Sequence, residues 1–127
     1  MADLRAPDLG TLEMIVMEQV WAVGSPVTAR EVHDRLQGGR ARAYTTVMTT
    51  MDRLHKKKLL TRTKSGLAWL YQARLTRDGY ERAVAHSLAE HIVDEHGEVG
   101  LAAFVDAVAD QALLDRLATL IADRKRK

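Results

Sequence analysis

Residues 43–57 concentrate the side chains best suited to touch another molecule. Thr46, Thr49, Thr50, Arg53 and Lys57 recur at i, i+3, i+4, i+7 and i+11, which a helix gathers on one face. Threonine is a poor filler for an ordinary exposed helix face, because branching at Cβ restricts χ1 and lowers helix propensity. It makes sense where a second surface must come close. A threonine hydroxyl can hydrogen-bond a base edge, its methyl can pack on thymine, and arginine can grip guanine O6 and N7 with both arms. The face has the chemistry of major-groove reading. The competing reading, a tolerated threonine-rich helix with no ligand, leaves the surrounding charge unexplained.

That charge is heavily skewed. Residues 40–77 hold ten basic side chains against one acidic, Asp52, a net of +9. The flanking blocks are acidic, −3 before and −4 after, so a chain of net charge +2 hides a nucleic-acid footprint. His55-Lys56-Lys57-Lys58 ends the helix with more positive charge than its dipole needs, which suits Lys56 and Lys57 to phosphates. Arg62, Lys64 and the turn Ser65-Gly66 would set a second basic element beside the DNA backbone. Trp69 and Tyr71 share one face of a strand; packing onto the helices suits them better than stacking on bases.

Other chemistries fare poorly. The chain has no cysteine, which removes disulfides, zinc-thiolate sites and thiol nucleophiles together. His86, His91 and His96 are five apart, so each turns about 140° from the last on a helix and they do not converge on one ion. No glycine-rich phosphate loop or serine-centred motif is present, so an enzyme is not expected, nor is a cofactor or a metal. No apolar run approaches the 18 or so residues of a membrane span, and the first ten residues lack a signal peptide's hydrophobic stretch. The expectation is a soluble, cytoplasmic protein with no membrane insertion.

The elements that must position these residues are legible in the periodicity. Leu12, Ile15, Val16, Val20 and Val23 mark a first amphipathic helix, capped by Asp8 or Thr11 and stopped at Gly24-Ser25-Pro26. Thr28-x-x-Glu31 is a capping box that opens a short second helix, ended by Gly38-Gly39. A connector of about five residues leads to the third helix, with Tyr44, Val47, Met48, Met51 and Leu54 as its apolar face; this is a helix-turn-helix arrangement. The period then changes to two. Residues 60–64 and the aromatic run 68–74 flank Ser65-Gly66, a hairpin. Three helices closed by a basic hairpin make a winged helix, and the expected fold is mostly α, an α+β winged helix-turn-helix.

From Thr76 onward the pattern is helical and acidic. Tyr80, Val84, Leu88 and Ile92 recur every fourth residue, Gly97 and Gly100 interrupt, and residues 101–108 and 113–121 form two short amphipathic helices. Such short helices are marginal alone and carry more apolar surface than they can bury among themselves. A second copy of the chain is the natural cover, because closed twofold dimers are the commonest soluble oligomers. The expected organisation is a winged-helix DNA-binding domain over residues 1–75 and a helical dimerisation domain over 76–127. Val84, Leu88, Ile92, Val105, Leu117 and Ile121 are the candidate interface.

Three segments together carry a resemblance: residues 9–21, Thr28-x-x-Glu31, and Tyr44-Thr-Thr-Val-Met-Thr49 followed by Arg53-Leu54 and Lys56-Lys57. They resemble the BlaI/MecI family of penicillinase repressors, closely through about Tyr71 and beyond it only in helix length and apolar pattern. The resemblance implies a homodimeric winged-helix transcriptional repressor. It would bind double-stranded, inverted-repeat operators upstream of β-lactamase or related antibiotic-resistance genes. It places the third helix in the major groove through Ala43, Thr45, Thr46, Thr49 and Arg53, and the wing near Lys64 and Gly66 against the backbone. It also implies induction by a β-lactam-sensing membrane protease system, with cleavage at Ala103-Phe104. Two positions depart from the family pattern: Lys58 stands where a glycine is common, and Ala103 where the well-known members have asparagine. The alternative is a ligand-responsive winged-helix regulator holding a small molecule between wing and dimerisation domains. Its weakness is an aromatic content of only 5%.

Overall fold

A computed structural model describes residues 9–37 and 42–127. Asp8 as a helix cap, the Gly38-Gly39 stop and most of the following connector lie outside the described residues. The described chain runs α1 (Thr11–Val23), α2 (Ala29–Arg35), α3 (Tyr44–Lys56), β1 (Leu60–Ser65), β2 (Ala68–Ala73), α4 (Arg77–Ala107) and α5 (Gln111–Lys125). Among the described residues no helix is long and apolar enough to cross a membrane.

The N-cap of α1 is Gly10, and Thr11 is the first helical residue rather than the cap. Glu13, three residues on, reaches back and accepts from the Gly10 N–H at 2.9 Å, satisfying a donor the helix leaves unpaired. The chain leaves α1 through Gly24 at φ 74°, with its N–H on the Val20 carbonyl. The capping box of α2 forms as its sequence dictates: Glu31 N–H donates to Thr28 Oγ1 at 3.1 Å, and Thr28 N–H to Glu31 Oε1 at 2.8 Å.

The end of α3 is a Schellman motif. Lys58 N–H donates to the His55 carbonyl and Leu59 N–H to the Leu54 carbonyl, both at 3.0 Å, with Lys58 in the left-handed region at φ 67°. A lysine thus occupies the position that favours glycine. The motif turns the chain straight into β1, which pairs antiparallel with β2 from Leu60↔Ala73 to Ser65↔Ala68. Gly66 at φ 61° and Leu67 form the tip, one residue later than the Ser65-Gly66 turn expected from the sequence. A bridge between Val27 and Tyr71 ties β2 to the segment between α1 and α2.

Val16, Met17 and Val20 of α1, Val32 of α2, and Val47, Met51 and Leu54 of α3 form the core with Val27, Leu59, Leu60 and Tyr71. Tyr80, from the start of α4, is buried in the same core, its ring 5.6 Å from that of Trp21. Trp21 Nε1 also donates to the Leu75 carbonyl at 3.0 Å. This anchoring carries the first compact unit through Val84.

The second compact unit begins at Ala85. Gly97 at φ 54°, ψ −135° divides α4 into two helical stretches, residues 77–96 and 98–107. Gly100 does not interrupt as expected; it is helical, and a Cβ there would lie 2.5 Å from that of His96. Asp110 caps α5, accepting from the Ala112 N–H at 2.7 Å. Among the described residues of this unit no apolar side chain is buried.

Candidate nucleic-acid interface

Helix α3 packs Val47, Met51 and Leu54 inward and presents Thr45, Thr46, Met48, Thr49, Arg53 and Lys56 outward. Ala43, its N-cap, is also exposed. Thr45, Thr46, Thr49, Thr50 and Arg53 line one shallow depression together with Leu12 of α1.

Thr50 is the buried member of this set. It is 1% exposed, and its hydroxyl donates to the Thr46 carbonyl at 2.8 Å, an i−4 bond that satisfies it inside the helix. Its place in the expected stripe is corrected to a core-facing one, one helical step from Thr49.

Lys57 is likewise turned inward. Its Nζ lies 2.8 Å from Glu13 Oε1, joining the end of α3 to the start of α1. Burial alone would raise the Glu13 carboxyl. Hydrogen bonds from Lys57 and the Gly10 N–H, with the charges of Lys57 and Arg53, outweigh it and hold the pKa below its usual value. Lys57 is therefore a strut between helices.

Arg62 also serves the fold. Its guanidinium donates to Asp52 Oδ1 at 3.0 Å and to Tyr71 Oη at 3.3 Å, and lies 4.3 Å from the Trp69 ring centroid. The Tyr71 hydrogen bond, with the Asp52 pair, raises the Arg62 pKa further. Asp52 is held below its usual range by hydrogen bonds from Lys56 and Arg62. The single acid of the basic block thus clamps the wing to α3. Arg62 is the wing's half of that clamp.

Lys64 extends along the wing with its ammonium 4.5 Å from the Trp69 centroid, and Gly66 lies at the exposed tip. Tyr71 is buried in the core and Trp69 is partly exposed beside it, so packing onto the helices holds for Tyr71 and half for Trp69. Two residues escape the sequence reading. Met48 counts as core by apolarity but is 44% exposed; the stripe Tyr44, Val47, Met51, Leu54 is complete without it. Arg30 lies 4.1 Å from the Tyr44 ring centroid, at the edge of the same surface. Its only sequence signal was charge next to the helix-turn-helix.

In the second unit, Leu88, Val105 and Ile121 are exposed and Ile92 and Leu117 half-buried. Val84 packs instead against the winged-helix core, as a margin of the first unit. Phe104 is exposed and the Ala103-Phe104 bond lies within a helical stretch. His86 pairs with Glu90 at 3.5 Å, and His91 meets His96 edge-on.

A threonine- and arginine-bearing helix, braced by a basic hairpin on a three-helix core, defines a winged-helix DNA-binding regulator. The penicillinase repressor family model matches residues 9–123, and the chain belongs to that family of transcriptional repressors. It is a regulator and not an enzyme. The transcriptional regulator BlaI of Mycobacterium tuberculosis is 37% identical over 106 residues, covering 82% of this chain and 77% of the relative. The solved DNA-binding domain of the repressor BlaI is 26% identical with a TM-score of 0.52, across 60% of this chain and 92% of that one. The monomeric form of Bacillus licheniformis BlaI in complex with the blaP half-operator matches at 26% identity and a TM-score of 0.50, over the same shares.

Proposed function

We propose that this repressor acts as a homodimer, each winged-helix unit reading one half of an inverted-repeat operator. The controlled genes would be β-lactamase or related resistance genes, and the site of action the cytoplasm. The observation that carries the dimer is the second unit, whose apolar side chains, Leu88, Val105, Leu113, Leu120 and Ile121 among them, are unburied within one chain. A surface of that kind needs a cover, and a second copy supplies an identical one. Ala43, Thr45, Thr46, Thr49 and Arg53 read base edges, while Lys56, Lys64 and the backbone at Gly66 meet phosphates. The half-operator bound by the Bacillus licheniformis relative supports one reading head per half-site.

Sedimentation and gel shifts with the full chain test this reading. The wild type should sediment as a dimer at micromolar concentration and shift a duplex selected from a random pool. That duplex should contain two half-sites about one helical turn, ~10 bp, apart or a multiple of it. Leu117→Asp buries a charge in the interface and should yield monomers that bind a single half-site. A monomeric wild type would remove the dimer, and a selected site without symmetry would remove the inverted repeat.

A further inference from the structure

Met48 points out of the fold beside Thr49, on the side of α3 that faces the hairpin. It borders a groove of about 440 Å³ between α3 and the hairpin, together with Thr49, Asp52, Leu67 and Trp69. Among the described residues of the first unit the exposed large hydrophobics are Met48, Leu67, Trp69 and Leu75, and three of these four line this groove. One exposed apolar residue needs no explanation, but three around a single groove do. Leu67, at the tip, is 100% exposed. Most of its lining belongs to the segment of net charge +9; Arg30, at the start of α2, adds a guanidinium to its wall, and Arg62 lies there paired with Asp52. Its occupant must therefore combine negative charge with an apolar edge. A DNA strand offers both. Its phosphates answer the Arg30 guanidinium, and in the major groove the C5 methyl of thymine is the apolar group among the base-edge donors and acceptors.

We propose that Met48 is a specificity-determining residue that reads a thymine through its C5 methyl, an assignment that rests on the operator-binding reading above. The thioether is flexible and polarisable, so it can follow a methyl group without demanding one rotamer. Cytosine presents an amino donor and no methyl at the equivalent edge, which leaves the Met48 side chain facing a polar group it satisfies poorly. Thr49, next along the helix and lining the same groove, supplies a hydroxyl for the neighbouring base edge. Met48 thus adds an apolar reader to a face otherwise built of hydroxyls and one guanidinium.

The test uses the full chain and the duplex it selects from a random pool. Each thymine is replaced in turn by deoxyuridine, which removes the methyl and keeps the base pairing. The wild type should lose about fourfold in affinity at one position in each half-site, the worth of one buried methyl. Met48→Ala should lose that thymine-over-uracil preference, and Met48→Leu should keep it. Because the ratio of the two affinities is read, a general loss of stability does not imitate the result. Selective binding by a wild type that tolerates every replacement overturns the Met48 assignment and leaves the operator reading intact. So does a Met48→Ala protein that keeps the wild-type preference. Failure to distinguish the selected duplex from a scrambled one overturns both.

Discussion

Arg53 and Lys64 carry the same charge but face different tasks. Arg53 projects from the proposed base-reading face of α3 beside Thr46 and Thr49, whereas Lys64 sits on the hairpin over Trp69. Arg53→Ala should weaken the selected operator by about 1–3 kcal/mol and change random duplexes little, the loss of one bidentate base contact. Lys64→Ala should weaken all duplexes alike and reduce the salt slope by about one. Equal losses on specific and random DNA for Arg53→Ala would sink its base-reading role. Glu13 makes a different prediction, because it is 5% exposed and its pKa is depressed by Lys57 and Gly10. A depressed carboxyl contributes stability that is present above the unfolded pKa and lost as pH falls through the lower folded value. Glu13→Gln should therefore cost about 1–3 kcal/mol near neutrality, with the gap from wild type closing below about pH 4–5. Urea melts across that range decide it; a gap constant with pH would mean the ion pair contributes nothing.

The elements divide by the reach of the signals that specify them. The helices α1 to α3, the capping box at Thr28 and the hairpin rest on local pattern, and each is legible from residues a few positions apart. The break at Gly97 was legible for the same reason, since few other residues adopt φ 54° without strain. Contacts between distant residues were not. Glu13 and Lys57 lie 44 positions apart, and nothing local turns that lysine from solvent toward α1. Thr49 and Thr50 look interchangeable in sequence, yet one helical step carries the second into the core. Met48 was misplaced by the converse error, apolarity taken for burial. The α3–β1 corner joins local and tertiary demands, because its hydrogen bonds call for a left-handed residue and the chain supplies Lys58. A left-handed non-glycine residue costs about 1–2 kcal/mol, partly offset by the greater freedom glycine has when unfolded. Lys58→Gly should then stabilise the winged helix by about 0.5–1 kcal/mol in thermal or urea melts. Destabilisation would mean that the Lys58 side chain contributes more than its strain costs.

In the proposed dimer, whole-molecule behaviour would follow from joining two small reading heads. One winged helix offers a limited interface, so tight operator binding in the proposed dimer depends on linkage through the second unit. Linking raises the local concentration of the second head to about the millimolar range and can add roughly 10²–10⁴ in avidity with no new contact. If the proposed linkage is released by proteolysis, the Ala103-Phe104 bond is the expected place to cut it. Everything beyond it, including α5 with Leu113, Leu117, Leu120 and Ile121, belongs to the second unit, while the winged-helix core closes by Val84. The bond itself lies in the stretch 98–107, helical on both sides. A protease that takes an extended chain must first open that stretch, and the kink at Gly97 leaves it a short helix, cheap to unfold. Cleavage would then end repression by loss of avidity, with no change at the DNA surface. A chain ending at Ala103 should be monomeric, keep the circular-dichroism signature of the winged helix, and bind an isolated half-site as well as one head of the full protein does. It should bind the complete operator about 10²–10⁴-fold more weakly than the full chain. A truncated chain that still dimerises and holds the complete operator at full affinity would show that the linkage lies before Phe104, and cutting there could not release the DNA.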